Sequence, residues 1–150
     1  MQFPYRKLFD RDPMTGQLDL VQRPEIPLTI IGTQRRFTFK ALVDSGADMT
    51  VLPVSLARTL RIPLAPSSRN GTAFGGGEYR LLIGRVRLQV GTPNESVSWN
   101  TDLFFTEFES KRQETLILGQ ARFLEYFRAT FDWEIGLLTL EANQRLPKEL

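Results

Sequence analysis

The stretch Ala41-Leu42-Val43-Asp44-Ser45-Gly46-Ala47-Asp48-Met49-Thr50-Val51-Leu52 decides how the chain is read. Three apolar residues lead into a carboxylate, a hydroxyl and a glycine, and a second extended run follows. The apolar lead-in predicts a buried strand that delivers the Asp44 carboxylate to a dry site, where its ionisation responds to its neighbours. Ser45 adds a hydroxyl that both donates and accepts, suited to bracing a loop. Gly46 permits a tight backbone and close approach of a ligand. A bare Asp-Ser-Gly also occurs in ordinary turns, where the aspartate would only cap the turn through its side chain.

Upstream, Ile26, Leu28 and Ile30 alternate with Pro27 and Thr29, Gly32-Thr33-Gln34 turns the chain, and Phe37, Phe39, Ala41 and Val43 follow at the same period. This predicts a hairpin with one buried face whose second strand runs into Asp44. Residues before Glu25 mix charges with Pro4, Pro13 and Gly16 and keep no period, which predicts an extended arm with a short strand over Leu18 to Val21.

Downstream, Pro53 to Leu60 reads as a short helix with proline in its first turn and Leu56 and Leu60 on one face. Pro66 to Gly71 reads as a loop, and Gly75-Gly76-Gly77 separates strands expected over Thr72 to Phe74 and Glu78 to Val90. In the second of these, Leu82, Val86, Leu88 and Val90 oppose Arg85, Arg87 and Gln89. A strand over Val97 to Phe105 follows the turn at Gly91-Thr92-Pro93-Asn94. Thr115 to Leu118 reads as a short apolar strand ended by Gly119, and Gln120 to Phe127 as a helix with Phe123, Leu124 and Phe127 on its apolar side. The last hairpin is expected over Ala129 to Asp132 and Leu137 to Glu141. Many short strands with two short helices argue for a mainly β fold, closed or sandwiched rather than layered on parallel strands.

The 150 residues, 41% hydrophobic and 24% charged, suffice for one domain with a real core. Without cysteine there is no disulfide or thiol catalysis, and without histidine the usual base of serine hydrolases and the commonest zinc ligand are missing. Chemistry falls to carboxylates, hydroxyls and amines, and neither cofactor nor metal is expected. Nineteen basic and seventeen acidic residues are scattered without a like-charged run, so nucleic acid is not expected as a partner. No apolar segment has the length of a signal core or a membrane span, and the expectation is a soluble cytoplasmic protein with no membrane partner.

The stretch from Ala41 to Leu52 resembles the active-site signature of aspartic peptidases. The likeness is closest to single-lobe, bacterial-type retropepsin-like proteins with a D-S-G-A motif, including the step Thr50-Val51-Leu52-Pro53 into a short helix that ends at Arg61-Ile62-Pro63-Leu64. Leu116-Ile117-Leu118-Gly119 resembles the hydrophobic-hydrophobic-glycine element that retropepsins place beneath the active-site loop. Phe74-Gly75-Gly76-Gly77-Glu78 resembles their flap, whose glycines give mobility and let the backbone bond an extended substrate. This run is not a phosphate loop, since Lys and Ser or Thr do not follow at the required spacing. The resemblance spans about Glu25 to Glu141, leaving residues 1–24 as an N-terminal arm and 142–150 as a tail. It implies a single-lobe retropepsin-like closed β barrel or sandwich with a flap hairpin and one or two short helices. Retroviral members often carry Arg directly after the glycine; Gln120 stands there in this sequence, leaving Arg122 as the candidate partner of Asp48.

The resemblance implies an aspartic endopeptidase with Asp44, Ser45 and Gly46 catalytic, and Ala47, Asp48, Phe74, Gly75, Gly76, Gly77 and Ile117 at the substrate. Ile83, with Phe74 and Ile117, is expected to line apolar subsites. Such enzymes need two carboxylates sharing one proton. Of the seven aspartates, Asp10, Asp12, Asp19, Asp102 and Asp132 lack the triplet, and Asp48 belongs to the same segment as Asp44. The second carboxylate is therefore expected from a second chain, in a homodimer with a two-fold axis through the site. The substrate implied is a polypeptide bound extended, held by main-chain bonds with side chains in alternating pockets. Serine in place of the commoner threonine keeps the hydroxyl but loses the methyl that stiffens χ1. The other readings are a dimeric adaptor that binds peptide or protein without cleaving it, and a plain structural β domain.

Overall fold

The computed structural model describes residues 1–72, 76–108 and 116–148. The period-two stretch on either side of Gly32 forms β4 (Glu25–Ile31) and β5 (Arg36–Val43), paired antiparallel from Glu25 opposite Leu42 to Ile31 opposite Arg36. Ile26, Leu28 and Ile30 are fully buried, whereas Pro27 between them is exposed. β6 (Val51–Pro53) leads into α1 (Val54–Leu60), which buries Val54, Leu56, Ala57 and Leu60 and ends on Arg61 in the left-handed conformation, φ 54°. The long strands β8 (Glu78–Gly91) and β9 (Ser96–Thr106) pair over ten residues.

The short apolar run forms β10 (Leu116–Leu118), inserted between β5 and β6. The order β4-β5-β10-β6-β9-β8 closes on itself because β8 also pairs with β4, Leu28 opposite Val90. Closure removes the free edges that an open sheet of this size would present. β10 runs parallel to β5, and β6 runs parallel to β9, so the barrel is mixed. Its centre is aromatic: Trp99, fully buried, lies 6.0, 5.9 and 5.7 Å from the ring centres of Phe123, Tyr126 and Phe127.

Three segments differ from the sequence reading. The run from Pro66 to Gly71, expected as a loop, belongs to β7 (Ala65–Thr72), which pairs with β8 from the outer side. It is an edge strand, where a proline is tolerated and no buried face imposes an apolar period. The helix expected from Gln120 to Phe127 is a series of turns with a single 3-10 turn over Leu124–Tyr126. Arg122 is left-handed at φ 72°, and Ala121 bridges to Met49, so no helix propagates through them. The N-terminal residues are more than an extended arm. β1 (Gln2–Pro4) pairs with β12 (Leu137–Ala142), which pairs in turn with β11 (Phe127–Asp132), while β2 (Arg6–Arg11) and β3 (Leu18–Arg23) form a hairpin of their own. Among the described residues no helix is long and apolar enough to cross a membrane.

Candidate active site

Asp44 follows the last residue of β5 directly. Its amide donates to the carbonyl of Leu118 at 3.0 Å, so the ladder between β5 and β10 continues to the carboxylate-bearing residue. A tight turn follows, with the Ala47 amide on the Asp44 carbonyl at 3.2 Å and the Gly46 amide on Asp44 Oδ1 at 2.9 Å. The turn-capping geometry is thus present, and it leaves the other carboxylate oxygen without a bond inside the loop. Asp44 and Ala47 are half-buried, and Ser45, Gly46 and Asp48 are exposed.

The loop is held from below by the segment after β10. Gln120 donates its backbone amide to the Ala47 carbonyl at 2.8 Å and its side-chain Nε2 to the Ser45 carbonyl at 2.8 Å. The Ala121 amide reaches the Asp48 carbonyl at 2.9 Å. Buried Thr50 accepts from the Gly119 amide at 3.2 Å and donates to the Ala121 carbonyl at 2.8 Å. At Gly119 the two backbones are too close for a side chain: a Cβ there would sit against the Met49 carbonyl oxygen and 2.6 Å from that of Ala47. This gives the apolar-then-glycine element its physical reason, since only glycine permits the approach. Gln120 and Thr50 were not singled out as site residues from sequence. The one signal for Gln120 was its position directly after the glycine.

Register across the barrel defines a row beside the loop. Ile83 pairs with Phe104, Phe104 with Val51, Val51 with Ile117, and Ile117 with Leu42. Directly paired residues share a face, and all of these but buried Val51 are half-exposed. The next row, Phe105, Leu52, Leu118 and Val43, is buried on the opposite face. The alternation that turns Leu42 outward turns Asp44, two residues on, to the same side. Ile83 and Ile117, expected at apolar subsites, therefore lie in one row with Phe104 and Leu42, which the sequence did not single out.

Other expected residues are placed less fully. Phe74 and Gly75 lie outside the described residues. Gly76, at φ 89°, and Gly77 are exposed at the end of the β7–β8 hairpin, where Thr72 pairs with Glu78. The Asp48 to Arg122 ion pair does not form among the described residues. Instead the Arg122 amide donates to Glu125 Oε1 at 2.7 Å, and the Arg122 backbone is left-handed at φ 72°. Among the described residues no three carboxylates gather as a metal site. Two surface cavities, about 540 and 490 Å³, are lined by Arg128 with Glu141 to Gln144, and by Ser96 to Ser98 with Asn143, Gln144 and Leu146 to Lys148; neither reaches Asp44.

Residues 26–121 match the family model described as aspartyl protease. The chain belongs to the aspartyl protease family. The match covers the barrel from β4 through the Gly119-Gln120-Ala121 brace and contains the whole Asp44 loop. Among solved structures, this chain is similar to the retroviral protease-like domain of Ddi1 from Leishmania major, at 19% identity and a TM-score of 0.50, covering 81% of this chain and 90% of that one. It is also similar to EIAV protease complexed with the inhibitor HBY-793, at 19% identity and a TM-score of 0.48, covering 65% of this chain and 82% of that one. No curated protein sequence matches it. The fold of this chain is the retropepsin-like one, mainly β with one short α-helix among the described residues.

Proposed function

We propose that this chain is an endopeptidase that hydrolyses peptide bonds with a water molecule held between two Asp44 carboxylates, one from each subunit of a homodimer. The observation that carries the reading is the placement of Asp44: half-exposed directly after a strand whose last residues bury Ala41 and Val43 while Phe37 stays exposed, on the outward side of the sheet beside a half-exposed apolar row. A single copy presents this carboxylate at its surface, so a two-fold axis beside the loop supplies the second one.

In the proposed reaction one Asp44 carboxylate takes a proton from the water as its oxygen attacks the scissile carbonyl carbon. The other Asp44, protonated, donates to the carbonyl oxygen, and collapse of the tetrahedral species transfers a proton to the leaving nitrogen. Two close carboxylates cannot both ionise readily, which keeps one proton in the pair. The bonds to the Ser45, Ala47 and Asp48 carbonyls fix the loop, so little reorganisation is needed at the moment of reaction. Ser45 and Gly46 act at the catalytic loop, and Ala47, Asp48 and Ile117 contact the substrate. Phe74 and the three glycines serve as a flap over an extended polypeptide whose apolar side chains meet Leu42, Ile117, Phe104 and Ile83.

Incubating wild type and Asp44→Asn with casein or a peptide library at mildly acidic and neutral pH tests this. Cleavage products from the wild type alone are expected. Cleavage that survives in Asp44→Asn removes the catalytic assignment, and peptide binding without cleavage by the wild type replaces the enzyme with an adaptor.

A further inference from the structure

Between the Asp44 loop and β6 the chain meets the segment after β10 at a crossing. Ile117 pairs with Val51 in the antiparallel sense, whereas Ala121 bridges Met49 in the parallel sense. Thr50 lies between these two positions. Antiparallel and parallel ladders place their bonds differently, so no single ladder serves both, and a side chain joins in. The Thr50 hydroxyl accepts from the Gly119 amide at 3.2 Å and donates to the Ala121 carbonyl at 2.8 Å. One hydroxyl fills both roles because its hydrogen rotates toward the acceptor. Thr50 is 1% exposed, so water is no ready substitute for it, and removing it leaves its partners short of a bond.

The segment pinned in this way is the one on which the Asp44 loop rests. The Leu118 carbonyl takes the Asp44 amide, Gln120 bonds the Ser45 and Ala47 carbonyls, and the Ala121 amide bonds the Asp48 carbonyl. Thr50 holds this segment on both sides of Gln120, at Gly119 and at Ala121. The other buried polar residues among those described, Thr101 and Thr106, donate to the Asp102 and Arg80 carbonyls on β9 and β8. Neither touches the support of the loop.

We propose that Thr50 is a positioning residue for the hydrolysis, acting through Gln120. Its hydroxyl fixes Gly119 and Ala121 so that Gln120 Nε2 stays on the Ser45 carbonyl and the Asp44 carboxylate keeps its aim. This inference rests on the two-carboxylate reading above and adds the group that holds the loop's support in place. A hydroxyl that only satisfied the core would lower stability and leave kcat alone. One that aims the loop through Gln120 lowers kcat, and that effect disappears once Gln120 is gone.

The test is a double-mutant cycle read in kcat on one peptide that the wild type cleaves, with KM and melting temperature followed beside it and all rates taken where every variant is folded. Thr50→Val keeps the branched shape without the hydroxyl, and kcat is expected to fall about tenfold with KM little changed. In Thr50→Val/Gln120→Ala the fall is expected to match that of the larger single change, since members of one network do not add. Thr50→Ser restores the hydroxyl, losing only the methyl that stiffens χ1, and is expected to turn over close to the wild-type rate. Thr101→Val, at a buried threonine away from the loop, is expected to keep the wild-type kcat. Should Thr50→Val not fold, Thr50→Cys takes its place in the cycle, because a thiol is a weak donor and a weak acceptor. An unchanged kcat in the folded Thr50 variant, a double variant slowed by the product of the two single effects, or Thr50→Ser as slow as Thr50→Val overturns the positioning role and leaves the paired Asp44 reading standing. Cleavage that survives in Asp44→Asn, or a wild type that cleaves nothing, overturns that reading and the role of Thr50 with it.

Discussion

At Gly119 a single methyl group decides whether the Asp44 loop closes on its support. Gly119→Ala places a Cβ against the Met49 and Ala47 carbonyls, and backbone cannot swing aside as a flexible side chain can. A loss of about 3 kcal/mol is expected, at the upper end of overpacking costs, measured as a lower midpoint in urea unfolding. Gln120→Ala removes only the Nε2 bond to the Ser45 carbonyl, leaving the backbone bond to Ala47 intact. Its stability cost is about 1 kcal/mol. The effect on turnover is larger, because a loop free to shift misplaces the reacting carboxylate: kcat is expected to fall about tenfold with KM little changed. Steady-state kinetics on one peptide separates the two parameters, and an unchanged kcat would show that the glutamine does not position the loop. Asp44→Asn keeps the shape of the side chain but cannot take up the proton, and all turnover is expected to vanish while the fold persists.

At the scale of elements, the outward row from Leu42 to Ile83 belongs to no single strand; it exists only where β5, β10, β6, β9 and β8 come into register. Ile117→Ala shortens the row at its middle and is expected to raise KM about tenfold for peptides with large apolar side chains, the usual value of a few methylenes in a pocket. KM for peptides with small side chains is expected to change little, which a paired peptide series checks. The same dependence on register explains what the sequence made legible. Strands with one dry and one wet face, such as β4 and the later part of β8, carry an alternation that can be read directly. β2 and β7 bury no continuous face, so neither pattern nor composition marked them as strands, and of β3 only the part from Leu18 to Val21 was legible. The Gln120 to Phe127 run has apolar spacing suited to a helix, but the left-handed backbone at Arg122 is a tertiary outcome that arginine itself does not announce. The Gly119 element was readable because the close backbone approach there admits only glycine. Thr50 and Gln120 act through backbone partners more than 60 residues away in the chain, and no local pattern encodes those.

At the scale of the whole molecule, one barrel carries one Asp44 loop at its surface, and the proposed two-carboxylate chemistry calls for a second copy. In the proposed mechanism activity belongs to the dimer, and specific activity is expected to fall on dilution below the dimer dissociation constant. Mixing addresses the shared site most directly: inactive Asp44→Asn is equilibrated with a fixed amount of wild type under conditions that exchange subunits, and peptide cleavage is followed. Each mixed dimer holds a single Asp44, so an equal amount of the variant is expected to reduce wild-type activity to about half by random pairing, and an excess to extinguish it. Activity that stays constant however much Asp44→Asn is added, although mixed dimers form, would contradict the account.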